Sequence, residues 1–398
     1  MTIADRWLLP DGVEELLPEQ AGQVESLRRK LLDLYRGWGY SLVIPPLIEY
    51  TESLLVGLGQ DVDIQTFKVI DQLSGRTMGI RADITPQTAR IDAHSLRGDG
   101  PSRLCYAGSV LHTKPKTLMA SRSPIQIGAE LYGDGSLSSD IEVISLMLET
   151  LAASGIDEIT LDLGHVGIYR SLIEQSELTA DAEKTLFSAL QRKSSGDIES
   201  AIQDGISDLK LADMMRALST LNGDRSILDK AKVLLKSAPA DVLSAIDDLS
   251  QVADQISSRM PSVNVYFDLT ELRGYHYHTG LVFAALAPGH GQAIANGGRY
   301  DDIGEVFGRA RPATGFNTDL KALLGYLPNN SSDESSNSIL APDSQGLSNS
   351  DSLSLWHATQ QLRADGERVI SALPGQADVE QYCRHLVLKE NRWLVEKT

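Results

Sequence analysis

Residues 271–283 read ELRGYHYHTGLVF, so an arginine, two tyrosines and two histidines fall within six positions ahead of an apolar run. Read as a strand, the stretch puts Arg273, Tyr275 and Tyr277 on one face and His276 and His278 on the other. Two histidines at i, i+2 are two metal ligands at most. The sequence supplies no HExxH and no compact Asp/Glu cluster to complete such a site, which argues against zinc. A half-buried edge strand accounts for any one of these residues alone. Together they suit a flat polar ligand, because a guanidinium binds a carboxylate and tyrosine hydroxyls orient a ring nitrogen.

Three further stretches carry chemistry-bearing side chains. In ANGGRYDDIGEVFG, residues 295–308, Gly297 and Gly298 precede Arg299 and Tyr300. Such glycines let a backbone approach a ligand or simply bend a strand into a loop. The phosphate-loop patterns G-x-x-x-x-G-K-[ST] and G-x-G-x-x-G do not occur here. In IRADITPQTAR, residues 80–90, Asp83 and Thr85 stand just ahead of a helix pattern. That acid serves either as an N-terminal helix charge or as the partner of an ammonium. In IQIGAE, residues 125–130, Gln126, Gly128 and Glu130 alternate with Ile127 and Ala129. The polar face meets solvent or, with Asp83, cradles an amino group.

These residues need elements to hold them. Val24, Leu27, Leu31 and Leu34 recur at helical spacing within Pro18–Tyr40, and Gly37 and Gly39 end the pattern. SLVIPPLIEY is a short strand pattern broken by Pro45 and Pro46, which confines it to an edge or interface. Residues 66–80 suggest a hairpin about Leu73-Ser74-Gly75. Residues 84–96 predict a helix capped by Thr85 with Pro86 at its first position. Strands are expected over 103–111 and 125–132, a helix over 137–153, and a half-buried strand where Ile159, Leu161 and Leu163 alternate.

Residues 166–260 turn to helical spacing, as in Val242, Ile246, Leu249, Val252 and Ile256, and read as an all-helical insertion. The sheet pattern resumes with Val263, Val265, Phe267 and Leu269 and then GLVFAALA. The expected organisation is a core over 1–165 and 261–327, the insertion over 166–260, a Ser/Asn/Asp-rich flexible linker over 328–354, and a small C-terminal segment over 355–398 with one amphipathic helix.

At 398 residues, 42% apolar and 23% charged, the chain has the composition of a soluble multi-domain protein. No run of eighteen apolar residues offers a membrane span. MTIADRWLLPDG lacks the basic and apolar segments of a signal peptide. Two distant cysteines, Cys105 and Cys383, fit a reducing cytosol, and a cytoplasmic location is expected. A net charge of −18 weakens any nucleic-acid role, which draws its affinity from phosphate neutralisation.

The order of the pieces resembles a class II aminoacyl-tRNA synthetase core, and specifically histidyl-tRNA synthetase. VIPPLIEYTESL looks like motif 1, the dimer-interface strand. IRADITPQTAR, YAGSVLHTKP and IQIGAE look like motif 2 and its flanks. LRGYHYHTGLVF resembles the histidine-specific R-G-L-D-Y-Y segment, NGGRYDDIGEVFG the G-G-R-Y-D block, and ATGFNTDLKALL stands where motif 3 belongs. The resemblance spans roughly residues 5–327. It implies an α+β fold, a mostly antiparallel sheet flanked by helices with a helical insertion. It also implies that Asp83, Thr85, Gln126, Glu130, Arg273, Tyr277, His278 and Tyr300 surround a histidine ligand, with Asp83, Gln126 and Glu130 toward its ammonium and the tyrosines toward its ring.

The departures are selective. Where motif 2 has F-R-x-E this chain has Leu111, His112, Thr113 and Lys114, and the motif 3 arginine position reads Ala322 with Asp319 nearby. Histidine does not replace a bidentate phosphate-binding guanidinium at neutral pH, and losing such charge stabilisers costs orders of magnitude in rate. His276 and His278 replace an aspartate and a tyrosine of the family pattern, and no full-sized anticodon-binding domain is expected at the C-terminus.

A kept amino-acid pocket, a dismantled ATP site and a missing tRNA module resemble the regulatory subunit family of ATP phosphoribosyltransferase, of which RHLVLKENRWL is also reminiscent. That resemblance implies a non-catalytic chain without cofactor that activates a short-form catalytic subunit in the first step of histidine biosynthesis. It also implies feedback inhibition by L-histidine, and a homodimer within a hetero-octamer, with no tRNA and no membrane partner. The alternative is a divergent synthetase-like enzyme that adenylates histidine.

Overall fold

Pro18 opens a helix that runs to Gly37 and buries Val24, Leu27 and Leu31 of the expected stripe, with Tyr35 fully buried and Leu34 only partly so. The chain then enters the edge of a nine-stranded sheet. The computed structural model describes residues 7–55, 60–115, 120–176, 178–272, 274–275, 277–327, 337–375 and 381–397. Two compact units divide the chain, Met1–Leu327 and Pro328–Thr398.

In the first unit the strands are β1 (Ser41–Leu42), β2 (Ile48–Tyr50), β3 (Phe67–Ile70), β4 (Thr77–Ile80), β5 (Ser102–Ser109) and β6 (Ile125–Tyr132). They continue with β7 (Thr160–His165), β8 (Asn222–Gly223), β9 (Asn264–Asp268), β10 (Leu281–Leu286), β11 (Ala293–Arg299) and β12 (Ala313–Asp319). The large sheet runs β1-β5-β6-β12-β11-β10-β7-β9-β8. It is antiparallel except where β1 joins β5 and β9 joins β7. This is the expected α+β architecture. The proline-broken stretch does lie at edges: β1 ends the large sheet, and β2 ends a small sheet ordered β2-β4-β3. The carbonyls of Pro45 and Pro46 accept from Arg81 Nη1 at 2.8 Å and Gln87 Nε2 at 2.8 Å, which satisfies groups the ladder does not reach.

One face of the large sheet packs on helices. Ile127, Ala129 and Leu131 of β6, Phe283 of β10 and Leu161 and Leu163 of β7 belong to one buried cluster. Residues of the helices Pro18–Gly37, Leu137–Ala153 and Ala240–Arg259 share it. The described residues of 166–259 form six helices with the two-residue β8 between them, and their apolar residues join the same cluster. The helical stretch therefore continues the core of the sheet, and the compact division falls instead after Leu327.

The sequence reading fails in three places. The described residues of 271–280 form no strand: amides of Tyr275, Tyr277 and His278 bond back to Leu272 and Gly274 carbonyls, and Gly274 takes φ +65°. The two-residue alternation therefore does not apply there. The helix expected over 84–96 is present, as an α-helix, Thr85–Arg90, with Pro86 in its first turn, followed by a π-helix, Ile91–Leu96, but the expected cap fails because Thr85 makes no cap bond. The third failure is the expected linker. Within the second unit, β13 (Ile339–Ala341), β14 (Val369–Ser371), β15 (Arg384–Lys389) and β16 (Arg392–Lys397) form a sheet ordered β14-β13-β15-β16. A helix, Asn349–Ala364, supplies Leu355 to the core of Ile339, Ala341, Val369 and Leu386. The Ser and Asn that diluted the apolar signal act as helix punctuation, and Ser348 accepts from the Asp351 amide at 3.1 Å. Residues 328–336 lie outside the described residues.

Candidate ligand-binding site

The opposite face of the same strands carries a different set of side chains. Strand pairing places Leu104, Glu130, Gly315, Gly298 and Val282 in one row across β5, β6, β12, β11 and β10. The next row reads Tyr106, Gly128, Asn317, Asn296 and Ala284. The glycines of this row let neighbouring side chains occupy the places their own would take. A Cβ on Gly315 would lie 1.5 Å from Glu130 Oε2, and one on Gly298 would lie 2.7 Å from the His278 ring. The row borders a cavity of about 160 Å³. That is below the roughly 300–1,000 Å³ of pockets for drug-sized ligands and suits a molecule of amino-acid size.

Glu130 is fully buried and lies at the centre of the polar network. Thr85 Oγ1 donates to its Oε1 at 2.8 Å and Tyr106 OH at 2.9 Å, while the Tyr300 hydroxyl donates to Oε2. Burial pushes the Glu130 carboxyl up to about 8; the bonds from Tyr300, Thr85 and Tyr106 oppose this, and the charge of Asp83 adds to it. Burial also holds the Tyr106, Tyr277 and Tyr300 hydroxyls well above their ordinary range, so they remain donors.

Asp83 accepts from Gln126 Nε2 at 2.8 Å and from the Thr85 amide at 3.1 Å, while Gln126 Oε1 accepts from the Ile84 amide at 2.9 Å. The short helix that follows is braced from behind, because Gln87 and Arg90 both donate to Glu49. Tyr277 stacks on Tyr300 with centroids 4.9 Å apart and planes at 18°, forming the aromatic wall. Its turn is held by Arg170, whose Nη2 donates to the His278 carbonyl at 2.9 Å. Tyr300 is aimed by Arg299, a buried guanidinium that binds Asp140 at 2.8 Å, Asp301 at 3.2 Å and Ser139 Oγ at 3.1 Å.

Of the residues singled out in sequence, Asp83, Thr85, Glu130, Tyr277, His278 and Tyr300 line this one cavity. Gln126 stands behind Asp83 and orients it. Arg273 and His276 lie outside the described residues. Tyr275 points away from the cavity, against Tyr169 and Phe187 of the helical stretch. Sequence reasoning missed Asn296 and Asn317, which line the floor. Their signal was asparagine inside a strand pattern, where that residue is depleted.

The departures from the synthetase pattern are structural here. His112 is buried, with Nε2 2.9 Å from the Ala82 carbonyl. Asp319 accepts from the Ile125 and Lys321 amides at 3.0 Å each, and burial raises its carboxyl. Among the described residues no group of three His, Cys, Asp or Glu could hold a metal, and no helix is long and apolar enough to cross a membrane.

A mostly antiparallel sheet with its cavity on the face away from the helices defines a class II synthetase-like protein. The histidyl-tRNA synthetase family model matches residues 12–323, and that of the ATP phosphoribosyltransferase subunit HisZ C-terminal domain matches residues 336–396. The chain is 56% identical over 405 residues to the ATP phosphoribosyltransferase regulatory subunit of Pseudomonas entomophila, covering 99% of each. It also resembles the solved ATP phosphoribosyltransferase regulatory subunit/histidyl-tRNA synthetase from Bacillus halodurans, with TM-score 0.81, 27% identity, and coverage of 94% and 96%. A chain of the ATP phosphoribosyl transferase (HisG:HisZ) complex from Thermotoga maritima shares the fold at TM-score 0.58 and 19% identity, over 74% of this chain and 96% of that one. The chain belongs to the ATP phosphoribosyltransferase regulatory subunit family and is not itself the catalyst.

Proposed function

We propose that this chain binds free L-histidine in the cavity, activates a short-form ATP phosphoribosyltransferase catalytic subunit in the cytoplasm, and transmits feedback inhibition by histidine to it. The observation that carries the reading is two carboxyl groups, Asp83 and Glu130, facing one amino-acid-sized cavity with a stacked tyrosine wall. Histidine presents two nitrogen-bearing groups, an ammonium and an imidazole. Asp83, oriented by Gln126, suits the ammonium. Glu130, among the tyrosines and ringed by hydroxyls, suits a ring N–H, a different end of the ligand from the one its sequence context suggested.

Regulation then follows from linkage: histidine favours whichever conformation binds it more tightly, and the partner's activity shifts with that population. The names of full-length relatives support the partner. Family analogy supports a homodimer within a hetero-octamer and no role for tRNA.

The test is phosphoribosyl-ATP formation by a short-form catalytic subunit with and without this chain across a histidine titration. Activation that histidine then suppresses is the expected result. Activation indifferent to histidine keeps the partner and removes the sensor. No activation, with histidine-dependent ATP–pyrophosphate exchange by the chain alone, overturns the reading in favour of an adenylating enzyme.

A further inference from the structure

The turn that carries Tyr277 and His278 has two sides. Tyr277 and His278 line the cavity, with Tyr277 stacked on Tyr300. Tyr275, two residues earlier, faces the helical stretch. Its ring meets Tyr169 edge-on at 5.3 Å and Phe187 at 5.1 Å, and its hydroxyl donates to Glu183 Oε1 at 3.4 Å. Tyr169 belongs to the helix Val166–Ile173, and Glu183 and Phe187 to the helix Ala180–Gln191.

Arg170 of the first helix spans the same turn. Its Nη2 donates to the carbonyls of Tyr275 at 3.2 Å and His278 at 2.9 Å, and its guanidinium carbon lies 5.4 Å from the centre of the Tyr275 ring. The start of that helix is fastened just beyond the turn, where the Val166 amide donates to the Gly280 carbonyl at 3.0 Å. Bonds from the Tyr277 and His278 amides to the Gly274 carbonyl give the turn its shape. Arg170 and the aromatic contacts give it a place. A ligand that needs this placement acts on the same equilibrium as the helices that supply it, and such coupling is reciprocal.

We infer that Arg170 and Tyr275 are positioning residues of the cavity: they hold Tyr277 and His278 in place from the two helices, so that ligand binding and the packing of those helices are linked. The inference rests on the proposed histidine site and adds the elements to which its occupancy is passed. Neither Arg170 nor Tyr275 lines the cavity, so both act through Tyr277 and His278.

The test combines calorimetric titration of the full-length protein with L-histidine and amide hydrogen exchange with and without it, each variant first shown to be folded by a thermal melt. Arg170→Ala should weaken histidine by about tenfold, the scale of one hydrogen bond to a charged group felt through a smaller fraction of correctly placed turn. Arg170→Lys, a point charge in place of the fork, should fall between Arg170→Ala and wild type. Tyr275→Ala should also weaken histidine, and Tyr275→Phe, which keeps the ring, should restore most of that loss. In wild type, histidine should slow exchange in the helices Val166–Ile173 and Ala180–Gln191 more than in the helix Pro18–Gly37. A ligand that merely stabilised the whole fold would slow all three alike. At saturating histidine the difference should vanish in Arg170→Ala, or shrink in Arg170→Lys if the alanine variant does not fold.

Unchanged histidine affinity in the folded variants overturns the inference, and so does equal protection of the three helices in wild type. Either result leaves the histidine site standing. A wild-type protein that binds no histidine removes both.

Discussion

The two faces of the nine-stranded sheet are built from the same strands and obey opposite rules. On β6, Leu131 points into the cluster shared with the helices and Glu130 points into the cavity. On β12, Phe316 meets Tyr35 edge-on at 6.1 Å, while Gly315 and Asn317 on either side of it face the ligand space. The helix-covered face is filled to exclude space. The other face sets glycines beside its larger side chains and lines a cavity with groups that water or a ligand must satisfy. The packed core lies on the first face and the proposed ligand site on the second, and a period of two residues keeps them apart.

The sharpest way to break that division is on the packed side. Leu131→Ala should cost about 2–5 kcal/mol through lost burial and the cavity left behind, read as a lower urea midpoint with an unchanged slope. Histidine affinity of the protein that remains folded should be close to wild type. A severe loss of affinity in folded Leu131→Ala would show that the faces are not separable.

Gly315→Ala probes the other side with the addition of one methyl group. Its Cβ would overlap Glu130 Oε2, so the carboxyl would have to give up the bonds it accepts from Thr85, Tyr106 and Tyr300. The expected cost is about 1–3 kcal/mol, together with loss of histidine binding, measured by denaturation and calorimetry on the same samples. Normal binding in this variant would remove Glu130 from the site.

The third expected effect depends on pH. The Glu130 carboxyl is held at about 8 in the folded chain against an ordinary value of 4.5. The folded state therefore keeps a proton that the unfolded chain releases, so this group's contribution to stability falls as pH rises from about 4.5 to about 8 and is flat beyond. The slope is at most about 1.4 kcal/mol per pH unit. Glu130→Gln should remove that slope, so the variant gains on wild type as pH rises through the window while histidine affinity falls. Parallel pH profiles for the two proteins would place the proton elsewhere.

Legibility differed in the same way between the faces. The helix from Pro18, strand β6 and the helix Leu137–Ala153 follow directly from apolar spacing, because burial on one side imposes a period. The candidate site was legible where polar residues interrupted such a period, as at Gln126 and Glu130, or stood at a helix start, as at Asp83 and Thr85. It was misread at 271–280, where Gly274 turns the chain and sends Tyr275 and Tyr277 to different neighbours. The C-terminal unit was misread because its strands are short and its Ser, Asn and Asp residues resemble a linker until β13 finds two parallel partners, β14 and β15.

By itself, the sequence determined which residues were available: an order of motifs, an acidic and aromatic set fit for an amino acid, and the loss of the arginines that a nucleotide needs. Tertiary structure decided which of them meet. Glu130 lies 45 residues from Thr85, 24 from Tyr106 and 170 from Tyr300, yet all three hydroxyl bonds converge on its carboxyl group. Asn296 and Asn317 oppose each other only through the register of β11 and β12. Periodicity reports which side of an element faces a core, and says nothing of which distant element lies across from it. That choice is made by strand pairing and by the room the glycines give their neighbours.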